Sequence, residues 1–194
     1  MGQVLQQQLV ASAAKAAKAG TLAGAGGSDT QQFLTFVLGG EMYALGILNV
    51  KEIIEYGQLT EIPMMPASIR GVINLRGAVV PVVDLAARFG GHASAVQRRT
   101  CIVIVEVAQE EGKIDIGIMV DAVSEVLEIA HAEIEPPPAF GTKIRADFID
   151  GMGKVAGRFV IILNIERVLS VDEMAALVSV GETTIDAVTE VGVH

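Results

Sequence analysis

Of the 194 residues only one is cysteine, Cys101, none is tryptophan, and aromatic residues make up 4%. A single cysteine excludes an internal disulfide and a zinc site built on cysteine pairs. Histidine is equally sparse. His92, His131 and His194 fall in no H-x-x-x-H or H-E-x-x-H spacing and read as solvated surface residues, so no metal site is expected. Basic residues are outnumbered, 14 Lys and Arg against 23 Asp and Glu, for a net charge of −9. Without a basic stripe, nucleic acid and anionic membrane surfaces are poor partners. No apolar run reaches the roughly 18 residues of a membrane helix, which argues against membrane insertion. The opening MGQVLQQQLVASAAKAAKAG lacks the basic-then-apolar order of a secretory signal, and Gln6 stands where a myristoylation signal needs Ser or Thr. The expected location is the cytoplasm.

Catalytic motifs are missing too. Cys101 begins an alternating strand and has no motif-placed histidine, so it reads as a small core residue or strand-edge thiol. GMGKVAG (151–157) looks like a phosphate-binding loop, but its glycines lead into a strand, RFVIILNI, rather than a helix. They read as turn glycines. Glu110 and Glu111 lie in an expected hairpin turn, and PPP (136–138) is a stiff connection without PxxP context. The chain is read as non-enzymatic and free of cofactors.

What is abundant is aliphatic. Hydrophobic residues make up 51% and charged ones 19%, enough for a folded core. Residues 1–30, rich in Ala, Gly and Gln, read as a flexible leader with a nascent helix. Residues 31–177 read as the folded body, and 178–194, with Glu182, Asp186 and Glu190 but no Lys or Arg, as an acidic tail. Within the body, FLTFVL (33–38), EMYAL (41–45), TCIVIVEV (100–107), KIDIGIMV (113–120) and RFVIILNI (158–165) are β-branched or alternating runs bounded by turn residues. Two helices are expected. ILNVKEII (47–54) puts Ile47, Val50 and Ile54 on one helical face, and DEMAALVSV (172–180) starts with two acids.

The chain also echoes itself. Gly71 and Gly77 precede an apolar run ending at Asp84-Leu85, and Gly151 and Gly157 precede one ending at Asn164-Ile165. VKEIIE (50–55) is matched by VSEVLE (123–128). A repeat of about 70–80 residues predicts two related barrel-like halves. In this alignment Ala156 occupies the place of Arg76, a charge set in the otherwise apolar GVINLRGAVVPVVDL (71–85). The architecture therefore does not need that arginine. Glu52 is a candidate partner, through a bidentate contact that would satisfy both groups; a solvated arginine in an Arg-Gly turn is the competing reading.

At QQFLTFVLGGEMYALGILNVKEI, IRGVINLRGAVVPVVDL, IGIMVDAVSEVL and GRFVIILNIERVL, the sequence resembles the CheW-like family of chemotaxis coupling proteins, over about Gln31 to Leu177. The resemblance implies an all-β protein with short helices: two SH3-like five-stranded barrels packed together, about 31–95 and 100–170, and a short C-terminal helix. It implies a non-catalytic adaptor that joins the cytoplasmic signalling tips of chemoreceptors to the regulatory domain of the histidine kinase CheA, at membrane-bound receptor arrays. A scaffold in a related pathway, twitching motility or second-messenger control, is the alternative. Position by position, it implies a receptor groove at Leu34, Ile47, Val50, Glu52, Gly71, Arg76 and Val126, with Arg76 paired to Glu52. The kinase-contact residues carry no motif and stay unassigned.

Overall fold

Among the described residues the β-branched runs form eleven strands arranged in two sheets. The computed structural model describes residues 29–109, 112–139 and 144–170, with Lys15 and Asp172 besides. The leader, the helix expected at 172–180, the acidic tail, the Glu110-Glu111 turn and His194 lie outside the described residues, apart from Lys15, Asp29, Thr30 and Asp172. The strands are β1 (Thr30–Leu38), β2 (Glu41–Gly46), β3 (Val50–Glu55), β4 (Ile69–Leu75), β5 (Ala78–Asp84), β6 (Cys101–Gln109), β7 (Gly112–Val120), β8 (Ala122–Ala130), β9 (Ile134–Glu135), β10 (Ile149–Val155) and β11 (Arg158–Leu163). Two four-residue helices, α1 (Leu85–Arg88) and α2 (Ile165–Val168), follow β5 and β11.

Strand order is β8-β1-β2-β11-β10-β9 in one sheet and β3-β6-β7-β5-β4 in the other. The all-β expectation of two packed subdomains holds. The second sheet has the expected five strands, and the first adds the two-residue β9. The expected boundary between residues 95 and 100 does not separate the sheets. One sheet is continuous, residues 50–120, while the other joins 30–46 to 122–163. The reason is reciprocal exchange. β1 pairs antiparallel with β8 as β6 pairs with β3, and β2 pairs parallel with β11 as β7 pairs with β5. Each half lends its first hairpin to the other half's sheet.

The repeat read from the glycines is exact in the backbone. Register shifts occur between Ile69 and Gly71 and again between Ile149 and Gly151. Arg76 and Gly77 have φ of 50° and 87°, and Ala156 and Gly157 have 48° and 77°. Both turns thus have the paired positive φ of a two-residue hairpin turn matched to strand twist. Arg76 is an unusual occupant of such a site, where a side chain is disfavoured.

Asp84 and Asn164 cap the two helices. Asp84 is fully buried. Its carboxylate accepts from the backbone N–H of Ala86 (3.0 Å), Ala87 (3.3 Å) and Ser94 (2.7 Å) and from the Ser94 hydroxyl (3.0 Å). Asp84→Asn exchanges one acceptor oxygen for a donor and should lower stability by about 1–3 kcal/mol, read as a lower denaturant midpoint at unchanged slope.

Three apolar clusters follow from this topology. Phe33, Ala44, Ile129, Val160 and Ile162 fill the first sheet, and Val80, Val82, Ile102, Ile104 and Met119 the second. The largest cluster joins residues of both, among them Leu34, Leu45, Ile53, Val103, Ile118 and Leu163. Rings of Phe36, Tyr43, Phe89 and Phe148 run through it at successive centroid distances of 6.0, 5.8 and 6.0 Å. Cys101 belongs to this core, as a small apolar residue would.

The helix expected over 47–54 is not formed. Only Ile47–Asn49 turn, as one 3-10 turn, and Val50–Glu55 is strand β3. The expected face is split: a register shift between Val50 and Glu52 leaves Val50 and Ile53 in the shared core with Ile47, while Ile54 packs on the second sheet's own cluster. β-branched Val50, Ile53 and Ile54 also favour the strand.

Candidate interaction site

β3 and β4 are the two outer strands of the five-stranded sheet, yet their ends are joined. The Arg76 guanidinium, on the turn after β4, donates to both carboxylate oxygens of Glu52 on β3, Nη1 to Oε1 at 2.7 Å and Nη2 to Oε2 at 2.8 Å. The sheet must therefore curl until its edges approach. Glu52 stands opposite Ile104 and shares a strand face with Ile54, which packs on the second sheet's apolar cluster. The ion pair thus sits at the rim of that barrel's interior. The Glu52 side chain is 22% exposed and that of Arg76 76%. Hydrogen bonding to Glu52 raises the Arg76 pKa above its ordinary value, so the guanidinium stays charged. The pair reading of Arg76 is the observed one.

The charged rim continues beside it. Lys51 Nζ lies 2.9 Å from Asp115 and 3.6 Å from Glu106, and Lys113 Nζ lies 2.6 Å from Glu106. The hydrogen bond from Lys113 holds the Glu106 carboxyl below the usual range. Between these groups and Val79 and Pro81 opens a cleft of about 390 Å3. Val79, on β5 just past the Arg76 turn, is 71% exposed.

The other expected site residues divide by burial. Leu34, Ile47 and Val50 are interior, 0%, 3% and 5% exposed, and belong to the shared core. The 3-10 turn and the β3 bulge turn Ile47 and Val50 inward, and Leu34 faces the same core from β1. Val126 faces Leu34 across β8 and β1 and is half-buried against the same core. Leu48, which the helical pattern set aside, is 72% exposed between Ile47 and Val50. Nothing in its own residue type distinguished it. Its exposure follows only once the turn is known.

Gly71, near the start of β4, is buried and is a glycine for a backbone reason. It has φ of 145°, and a Cβ there would collide with the Thr60 carbonyl oxygen. Thr60 and Val72 exchange two backbone hydrogen bonds of 2.9 Å, which tie the β3–β4 connection to β4. Gly71→Ala must break that bridge and strain the backbone, for about 2–3 kcal/mol. Faster amide exchange at Val72 than in the parent protein would report it.

Among the described residues no three His, Cys, Asp or Glu side chains are grouped to hold a metal, and no helix is long and apolar enough to cross a membrane.

A family model described as "CheW-like domain" matches residues 32–173. The chain belongs to the CheW-like domain family. Chemotaxis protein CheW of Klebsiella aerogenes is 36% identical over 159 residues, 82% of this chain and 93% of that protein. The crystal structure of the scaffolding protein TtCheW from Thermoanaerobacter tengcongensis matches with a TM-score of 0.66 at 36% identity, covering 73% of this chain and 94% of that one. Protein FrzA of Myxococcus xanthus is 28% identical over 149 residues, 76% of this chain and 90% of FrzA. The CheW-like domain spans both sheets, including the exchanged hairpins.

Proposed function

We propose that the chain is a non-catalytic adaptor of bacterial chemotaxis, cytoplasmic and recruited to membrane-bound receptor arrays. It couples the cytoplasmic signalling tip of methyl-accepting chemoreceptors to the regulatory domain of CheA. The observation that carries this is the Glu52–Arg76 pair. It is placed at a barrel rim on the one half that has the arginine, in a turn whose counterpart uses Ala156. Membership of the CheW-like family and the names of the relatives support the pathway.

In this reading Glu52, Arg76 and Leu48 meet the receptor, Val126 borders the contact, and Gly71 holds the backbone behind it. Leu34, Ile47 and Val50 support the surface from inside. Receptor recognition uses an apolar helix face laid beside the ion pair. The test is capture of a receptor signalling fragment and of the kinase regulatory domain, run separately, on immobilised protein. Both should bind, and kinase autophosphorylation should rise only when receptor is present. Folded protein that captures neither overturns the assignment. The likeness to FrzA favours a second reading, a scaffold in a related chemosensory system. Capture of receptor and kinase fragments from that system in place of the chemotaxis pair would select it.

A further inference from the structure

The halves of this chain, residues 29–88 and 101–170, hold each other through strand pairing that crosses between them four times, as β1–β8, β2–β11, β3–β6 and β5–β7. The hairpins β1–β2, β4–β5, β6–β7 and β10–β11 stay within one half. A cut in the connection 89–99 therefore separates no pair of hydrogen-bonded strands. That connection contains no strand or helix; Ser94 donates to Asp84 of the first half through N–H and hydroxyl, and the Phe89 ring packs against Tyr43 of the first half and Phe148 of the second.

We infer that the chain can form a closed dimer with a second copy of itself by exchanging whole halves. Residues 29–88 of one copy complete residues 101–170 of the other, and the converse. Every cross-strand pair and the shared core are regenerated, so no new surface has to be complementary. Only the connection changes its path, which is the condition under which exchange between identical chains costs little. What favours the single chain is local concentration, set by a connection long enough to return. The exchanged dimer carries two Glu52–Arg76 rims in one particle, and so would engage two copies of a partner at once.

The length of the connection is the control. Asp84 stands opposite Met119, and Met119 opposite Ile102, which places the start of β6 two strand spacings from α1, roughly 10 Å. Removing residues 92–98 joins Gly91 directly to Arg99, a Cα step of about 3.8 Å. Phe89, Gly90, Gly91, Arg99 and Thr100 then remain between Arg88 and Cys101, and Ser94 is lost with its two hydrogen bonds to Asp84, so the shortened chain has less slack and a weaker hold for returning to its own first half.

Gln32 and Glu128 report which copy supplies which half. They are cross-strand partners on β1 and β8, and their side chains are 3.2 Å apart. In the full chain bearing Gln32→Cys and Glu128→Cys, with and without residues 92–98, oxidation gives a bond within or between chains, while Cys101 is buried. The shortened chain should elute at about twice the 20.3 kDa of one chain and run as a covalent dimer without reductant. A dimer whose bonds are internal overturns the inference. Should the shortened chain stay a monomer or not fold, the full-length double-cysteine protein decides. Refolded across a hundredfold range of concentration, it should show an interchain fraction that rises with concentration. An interchain fraction of zero throughout overturns the inference equally.

Discussion

Val50→Asp should lower the thermal midpoint by about 10 °C or more and abolish receptor and kinase capture together. Val50 is 5% exposed in the core that the two sheets share, against neighbours such as Val105, its partner on β6. An aspartate there must either bury a charge or protonate, and neither is compensated by a donor of suitable geometry. The cost is on the order of 4 kcal/mol, a large part of the stability of a domain this size. Circular dichroism against temperature, with capture assays well below the midpoint, measures it. A variant that melts like the parent but loses only the receptor would return Val50 to the surface and contradict its burial. Leu48→Asp is the matched control: at 72% exposure it should leave the midpoint within about 2 °C.

Arg76→Glu should have the largest effect on binding with little effect on the fold. It sets a second carboxylate against Glu52 where a bidentate pair stood, and leaves an acidic rim where partner side chains meet a neutral pair. Receptor capture should fall about tenfold or more, since like charges placed together oppose docking strongly. The midpoint should move little, because the guanidinium is largely in solvent and an exposed pair stabilises weakly. Adding Glu52→Arg restores opposite charges in the reverse order and should recover part of the affinity. A double variant no better than the worse single one would show that the pair itself is not what the receptor reads. Kinase capture by all three proteins serves as the internal comparison.

Much of this architecture was legible because it is periodic. The alternating runs at 33–38, 100–107 and 113–120 are strands, and the glycine echo found two turns whose backbone angles agree within about 10° at each position. Glu52 was legible as the partner of Arg76 because an apolar strand leaves a charge few places to go. What failed were features that no local pattern encodes. The spacing of Ile47, Val50 and Ile54 imitated a helix, although a 3-10 turn and then a bulged strand send Ile54 to a different apolar cluster from the other two. The barrel boundary was missed because the halves in sequence are not the sheets in space. Antiparallel hairpins are set by neighbours, whereas the partner of β1 is fixed by which buried face it completes, more than 80 residues away. The burial of Leu34, Ile47 and Val50, expected in a groove, was not legible for a related reason. Aliphatic residues at an interface and in a core have the same composition, and only the fold separates them.

The interleaved topology also sets an order of events during synthesis. The sheet built from residues 50–120 is contiguous in the chain, so it can close as soon as Val120 has left the ribosome. The hairpin β1–β2 is made first but completed last, because its neighbours β8 and β11 are not available until Leu163 has emerged. For most of translation the first of the described strands thus form an apolar hairpin with both edges unpaired, the kind of surface that chaperones hold and that neighbouring nascent chains can capture. A polysome crowded with such chains is also the place where halves of different molecules meet at the highest local concentration.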